Sequence, residues 1–176
     1  MSSRALLFVA LAACATQPTP SRKKPTYSFG GLAGYSSAEV FSHGVAGPSV
    51  AGFGVLRFGG VSVGIRASVA SLDGTYRIPS RTVNVETMPV SAGLYVQGTA
   101  FDRLWGGLSS GVDFADIADD TAPSTFKIGF NVGVDAGVDV LRFGQHRLVL
   151  FGRAETEISS SSGYRALSVG AGYRLY

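Results

Sequence analysis

The chain has 176 residues, enough for one domain, and only 15% of them are charged, against about 25% in an ordinary soluble domain. Its 24 glycines argue against a helical protein, since each weakens a helix interior by roughly 1 kcal/mol, and its single cysteine, Cys14, excludes an internal disulfide and a four-cysteine zinc site. The net charge of +3 belongs to the N-terminal segment: Arg4, Arg22, Lys23 and Lys24 precede residue 26, and taking those four from 15 basic residues leaves 11 against 12 acidic ones, with no basic surface for nucleic acid.

The first 25 residues read as export and tether, not fold. A short basic start is followed by the apolar run Ala5 to Ala13, too short for a membrane-spanning helix of about 20 residues and matching the core of a secretory signal. Leu11-Ala12-Ala13-Cys14 resembles the lipobox of bacterial lipoproteins, which implies lipidation of Cys14; cleavage after Ala13-Cys14-Ala15 is the alternative. Residues 14–25, rich in Pro, Thr and basic side chains, read as a solvated linker. The expected organisation is a signal peptide over 1–13, a linker over 14–25 and a β-barrel over 26–176.

From Tyr27 onward the hydrophobic period is two, the signature of strands whose side chains alternate between faces. Strands are expected near 26–36, 48–58, 60–72, 83–97, 103–115, 124–140, 147–159 and 164–176. In the sixth, Phe126, Ile128, Phe130, Val132, Val134, Ala136, Val138 and Val140 share one face, and Lys127, Gly129, Asn131, Gly133, Asp135, Gly137 and Asp139 the other. The third places Val61, Val63, Ile65, Ala67 and Val69 opposite Ser62, Gly64, Arg66 and Ser68, and the seventh places Leu148, Leu150 and Ala154 opposite Arg147, Arg153, Glu155 and Glu157. Residues 49–58 are apolar on both faces, and their parity stays open. The connections alternate: 37–47, 73–82, 116–123 and 160–163 form a longer, more polar set, and 59, 98–102 and 141–146 a shorter one, the pattern of outer loops and periplasmic turns.

A soluble barrel would put bulky apolar groups inside and Lys and Glu outside. Here the polar face reads as Gly, Ser, Asn, Asp, Arg and Glu, which suits the inside of a small transmembrane barrel, where Arg66, Lys127, Asp135, Asp139, Arg153, Glu155 and Glu157 are expected to form a charge network. Lipid forbids an open sheet edge, so the sheet must close, and eight strands leave an interior just wide enough for side chains. Tyr27, Phe29, Tyr35, Phe101, Trp105, Phe126, Tyr173 and Tyr176 sit near strand ends, as interfacial girdles do. The expected fold class is all-β, an eight-stranded antiparallel up-and-down transmembrane barrel.

Over residues 26–176 the chain resembles the eight-stranded OmpA/OmpX-like outer-membrane barrels in strand number and parity, most closely at Gly170-Ala171-Gly172-Tyr173-Arg174-Leu175-Tyr176. The resemblance implies an assembly signal at Gly170, Tyr173, Leu175 and Tyr176, read by the barrel assembly machinery, with Tyr176 one residue beyond the family's usual terminus. It also implies outer-membrane localisation, contact with lipid and lipopolysaccharide, and a monomer.

No site chemistry is legible. The two histidines, His43 and His146, lack the His-x-Ser element of barrel deacylases, and the adjacent Ser42-His43 pair is poorly placed for a triad. Asp116, Asp119 and Asp120 read as a solvated acidic loop without the glycine and glutamate of an EF-hand. No catalytic residue, cofactor or metal is expected. The resulting reading is a non-enzymatic integral outer-membrane barrel with a structural or surface role in envelope integrity, adhesion or resistance. A small-solute or apolar-compound channel is the alternative, followed by a lipid A-modifying enzyme and a soluble lipocalin-like binder.

Overall fold

The computed structural model describes residues 26–40, 43–100, 103–120, 122–158 and 164–176. The expected signal segment and linker, Cys14 among them, lie outside the described residues, as do Ser42 and Phe101. The strands in chain order are β1 (Thr26–Val40), β2 (His43–Phe58), β3 (Val61–Ala70), β4 (Leu72–Ile78), β5 (Arg81–Ala100), β6 (Leu104–Asp119), β7 (Ala122–Phe143), β8 (His146–Glu157) and β9 (Arg165–Leu175). Apart from β3 and β4, consecutive strands pair antiparallel, and β1 closes on β9 from Phe29↔Leu175 to Glu39↔Arg165. β3 and β4 are one stave interrupted at Ser71, since both pair with β5, so the nine segments make a closed ring of eight.

One end of the barrel, here the lower, carries Thr26, Tyr176 and the tight turns at Gly59-Gly60 and Gly144-Gln145. Gly59 and Gly144 take φ of 65° and 64°, a region that favours glycine in hairpin turns. The upper end departs from the sequence reading. The expected long connections 37–47, 73–82 and 116–123 are largely strand, because β1, β2, β4, β5, β6 and β7 continue through them. The cause is main-chain pairing: polar residues such as Asp73, Thr75, Asn84 and Glu86 stay in the ladder, where their backbone groups find partners and their side chains face water.

Parity is as the hydrophobic alternation implies. Ile65, Leu94, Phe130, Leu167 and Val169 all point outward with 63–69% of their surface exposed, and similar residues stand on every stave. The open parity of β2 resolves with Phe53 and Val55 inside and Val50 outside. An apolar girdle this continuous has no place in water, and it matches the lipid-facing band of a transmembrane barrel.

Candidate functional site

The interior of the barrel is the only region where polar groups of many strands converge among the described residues, and it is stacked in layers. At mid-height Arg66 on β3 donates from Nη1 to Asp135 Oδ2 on β7 at 2.8 Å. Arg153 on β8 donates from Nη1 to Asp135 Oδ1 at 2.9 Å and from Nε to Glu155 Oε2 at 2.8 Å. The Asp135 side chain is fully buried, and both arginine side chains are 4% exposed. Two guanidiniums face two carboxylates, so the layer is neutral, which a buried ionic cluster needs. Glycine makes room for it: a Cβ at Gly133 would lie 2.6 Å from Arg153 Nη2.

Above this layer the wall turns to serine. Ser36 Oγ lies 2.7 Å from both Ser49 Oγ and Ser168 Oγ, and Ser68 Oγ lies 2.6 Å from Ser91 Oγ. These hydroxyls, with Arg66, Arg153, Asp113 and Glu155, line a cavity of about 40 Å³, roughly the room of two or three waters. Asp113 accepts a hydrogen bond from Asn131 Nδ2, and its other oxygen is buried without a protein partner. A smaller cavity of about 20 Å³ adjoins, lined by Asp113, Lys127, Glu157 and Tyr164. The seven charges expected to form one network are therefore distributed. Arg66, Asp135, Arg153 and Glu155 are joined; Lys127 and Glu157 sit higher beside Asp113; Asp139 sits at the lower mouth, accepting from Arg142 at 3.1 Å and Arg147 at 2.6 Å.

Apolar clusters lie on both sides of the polar chamber among the described residues, and the expectation of a wholly polar inner face is corrected here. Below it lies an apolar cluster of Leu32, Phe53, Val55, Tyr95, Trp105, Val149 and Phe151. Trp105 is thus not a girdle residue: it is 4% exposed inside the lumen, its ring 4.7 Å from the Arg174 guanidinium. Arg174, 1% exposed, also lies 5.3 Å from the Phe53 ring and donates to Gln97 Oε1. A Cβ at Gly107 would lie 2.6 Å from the Tyr95 ring, so here too glycine opposes a large group. Above the chamber, Ala38, Val40, Val45, Leu72, Val85 and Ala166 form a second apolar cluster, flanked by Tyr76, Ile117 and Tyr164. Arg174, Gln97, Asp113 and Asn131 are buried interior residues that the expected charge network left out, although all four lie on the polar face of their strands.

The remaining candidates are peripheral. His43 stacks on Tyr76 with ring centroids 3.9 Å apart, and His146 hydrogen-bonds the Tyr173 hydroxyl and stacks on Phe143. Asp116 and Asp119 lie on β6 and not in a loop, and Asp120 Oδ2 accepts from the Asn84 amide at 3.1 Å. Among the described residues no three His, Cys, Asp or Glu are placed to hold a metal ion. Of the expected assembly-signal residues, Tyr173 and Leu175 share the outer parity of β9, Gly170 has the inner one, and Tyr176 turns its ring toward the lower mouth, over Arg57, Arg147 and Arg174.

No family model and no curated protein matches the chain. Among solved structures it is similar to the Neisserial surface protein A, with a TM-score of 0.58 and 14% identity over 87% of this chain and 99% of that one. It is also similar to OprG of Pseudomonas aeruginosa, with a TM-score of 0.54 and 8% identity over 89% of this chain and all of that one. A third likeness is to Ail, the attachment invasion locus protein of Yersinia pestis, in complex with the heparin analogue sucrose octasulfate, with a TM-score of 0.52 and 14% identity over 87% of this chain and all of that one. With its ring of eight staves, its apolar girdle and these likenesses, the chain has the fold of the OmpA/OmpX-like bacterial outer-membrane β-barrels.

Proposed function

We propose that this protein is a non-enzymatic integral barrel of the outer membrane whose work lies in its wall and its upper hairpins, as a structural or surface element in envelope integrity, adhesion or resistance. The observation that carries this reading is the pair of apolar clusters that lie below and above the polar chamber. An ion entering the serine chamber from below would first pass the packed layer of Phe53, Tyr95, Trp105 and Phe151, and from above the layer of Val40, Val45, Leu72 and Val85. Each passage strips water from a charge in an apolar setting, which is costly. Between them, the Arg66–Asp135–Arg153 cluster fills the section with side chains that are almost wholly buried.

A surface role agrees with what two of the similar proteins are named for: one a surface protein, the other an attachment protein. The staves that outrun the lipid band would present such a surface, with lipid and lipopolysaccharide as the surroundings and the barrel assembly machinery as the partner during biogenesis. The non-enzymatic reading rests on the histidines: His43 is stacked on Tyr76 and His146 is bonded to the Tyr173 hydroxyl at the outer wall.

Single-channel recording in planar bilayers tests the proposal. A flat current is expected. Reproducible conductance steps would overturn it and favour the solute channel, whereas lipid A losing acyl chains on expression would overturn the non-enzymatic part.

A further inference from the structure

The lower mouth holds a charge arrangement that a sealed wall does not need. In the registers of β7, β8 and β9, Arg142 lies directly opposite Arg147, and Arg147 directly opposite Arg174. Like charges opposed across strands destabilise a sheet, so a row of three calls for compensation. Arg57 joins them from β2: the Tyr176 ring centroid lies 5.1 Å from the Arg57 guanidinium carbon, 4.2 Å from that of Arg147 and 5.1 Å from that of Arg174. The carboxylate bonded within this group is Asp139, one of whose oxygens takes both Arg142 and Arg147. Four guanidiniums thus stand at this mouth, and two of them, Arg142 and Arg147, bond its carboxylate.

The donors are also underused. Nε and Nη1 of Arg174 and Nε of Arg147 are buried with no acceptor, although Arg174 is 1% exposed. Buried donors ordinarily find partners, and a guanidinium prefers a planar or multidentate oxyanion. The cluster also lies at a definite depth. Tyr27, Phe58 and Phe143, exposed by 68%, 56% and 52%, ring the same end of the barrel, as aromatics do where lipid tails meet head groups.

We propose that the lower mouth is a phosphoryl-binding site, with Arg57, Arg142 and Arg147 as its accessible rim, Arg174 beneath it and the Tyr176 ring as its cover. A phosphoryl group has the charge and the several oxygens that this row lacks. It reaches the mouth either on the head group of a phospholipid in the periplasmic leaflet or as free phosphate.

Trp105 is the sole tryptophan of the chain and lies against Arg174, so its emission reports on the site. The refolded barrel in a sugar-headed detergent is titrated with inorganic phosphate at constant ionic strength set by chloride, and separately with phosphatidylglycerol mixed into the micelles. A saturable change in Trp105 emission is expected. It should shift at least tenfold to higher ligand in the Arg57→Gln/Arg147→Gln double variant and stay in place in Arg77→Gln, a control in the upper hairpin. Saturation by phosphatidylglycerol identifies the head group as the source, and saturation by inorganic phosphate alone identifies the free ion. No saturable change in either arm, or a midpoint unmoved in a double variant that still shows a heat-modifiable band, would overturn the proposal.

Discussion

Asp135 shows how single residues decide the interior. Its two oxygens each take one arginine, and the side chain has no access to solvent. Asp135→Asn would leave Arg66 without a carboxylate partner and Arg153 with Glu155 alone, beside a cavity that holds only two or three waters. A loss of about 3–5 kcal/mol is expected, as for a broken buried ion pair, read as an earlier midpoint in urea unfolding followed by Trp105 emission. Gly133 makes the complementary case. A leucine there would drive its side chain into the Arg153 guanidinium, and overpacking of about 1–3 kcal/mol is expected from the same measurement. Gly129, on the same face, opposes Glu157 and obeys the same steric rule. Inward glycine on β7 is therefore a spacing device for charged and aromatic partners across the lumen.

At the scale of elements, β7 carries the clearest division of labour. It has 22 residues, and at about 3.4 Å per residue and a tilt near 45° it rises roughly 50 Å, about twice the height of an apolar band of ~25 Å. Its lower half crosses the band, paired with β8 from Asn131↔Glu157 downward; its upper half stands above β8 and pairs with β6. The two halves should respond differently to charge. Val134→Arg, in the crossing half, is expected to cost about 2–4 kcal/mol, and Phe126→Arg, in the upper half, about 0–1 kcal/mol. Folding equilibria in lipid vesicles check this, and equal costs would mean that the lipid band is misplaced along the strand. The same overrun explains why polar segments such as 73–82 and 116–123, read as loops, are strand: above the lipid, alternation of hydrophobicity is no longer required, but backbone pairing still is.

The whole molecule is a closed sheet, and closure has a signature. With β1 bonded to β9 there is no edge in the membrane band, so the folded barrel should resist detergent and migrate differently before and after boiling. A heat-insensitive band would contradict closure. The lumen is layered, with a neutral ionic cluster and a serine chamber between two apolar clusters.

Much of this was settled by sequence alone. Period-two alternation from Tyr27 onward determined strands and, outside residues 49–58, their outward faces, because lipid and lumen demand opposite chemistry on successive residues. Parity alone put Arg66, Asp135 and Arg153 on the inner face. Only the tertiary structure decided which of them meet, since partners such as Arg66 and Asp135 stand 69 residues apart and are joined across the lumen by barrel shear and not by local order. Only the tertiary structure likewise decided that Phe53, on a strand apolar on both faces, turns inward. An apolar residue satisfies lipid and a packed lumen equally well, so its own chemistry leaves the choice to the strands around it.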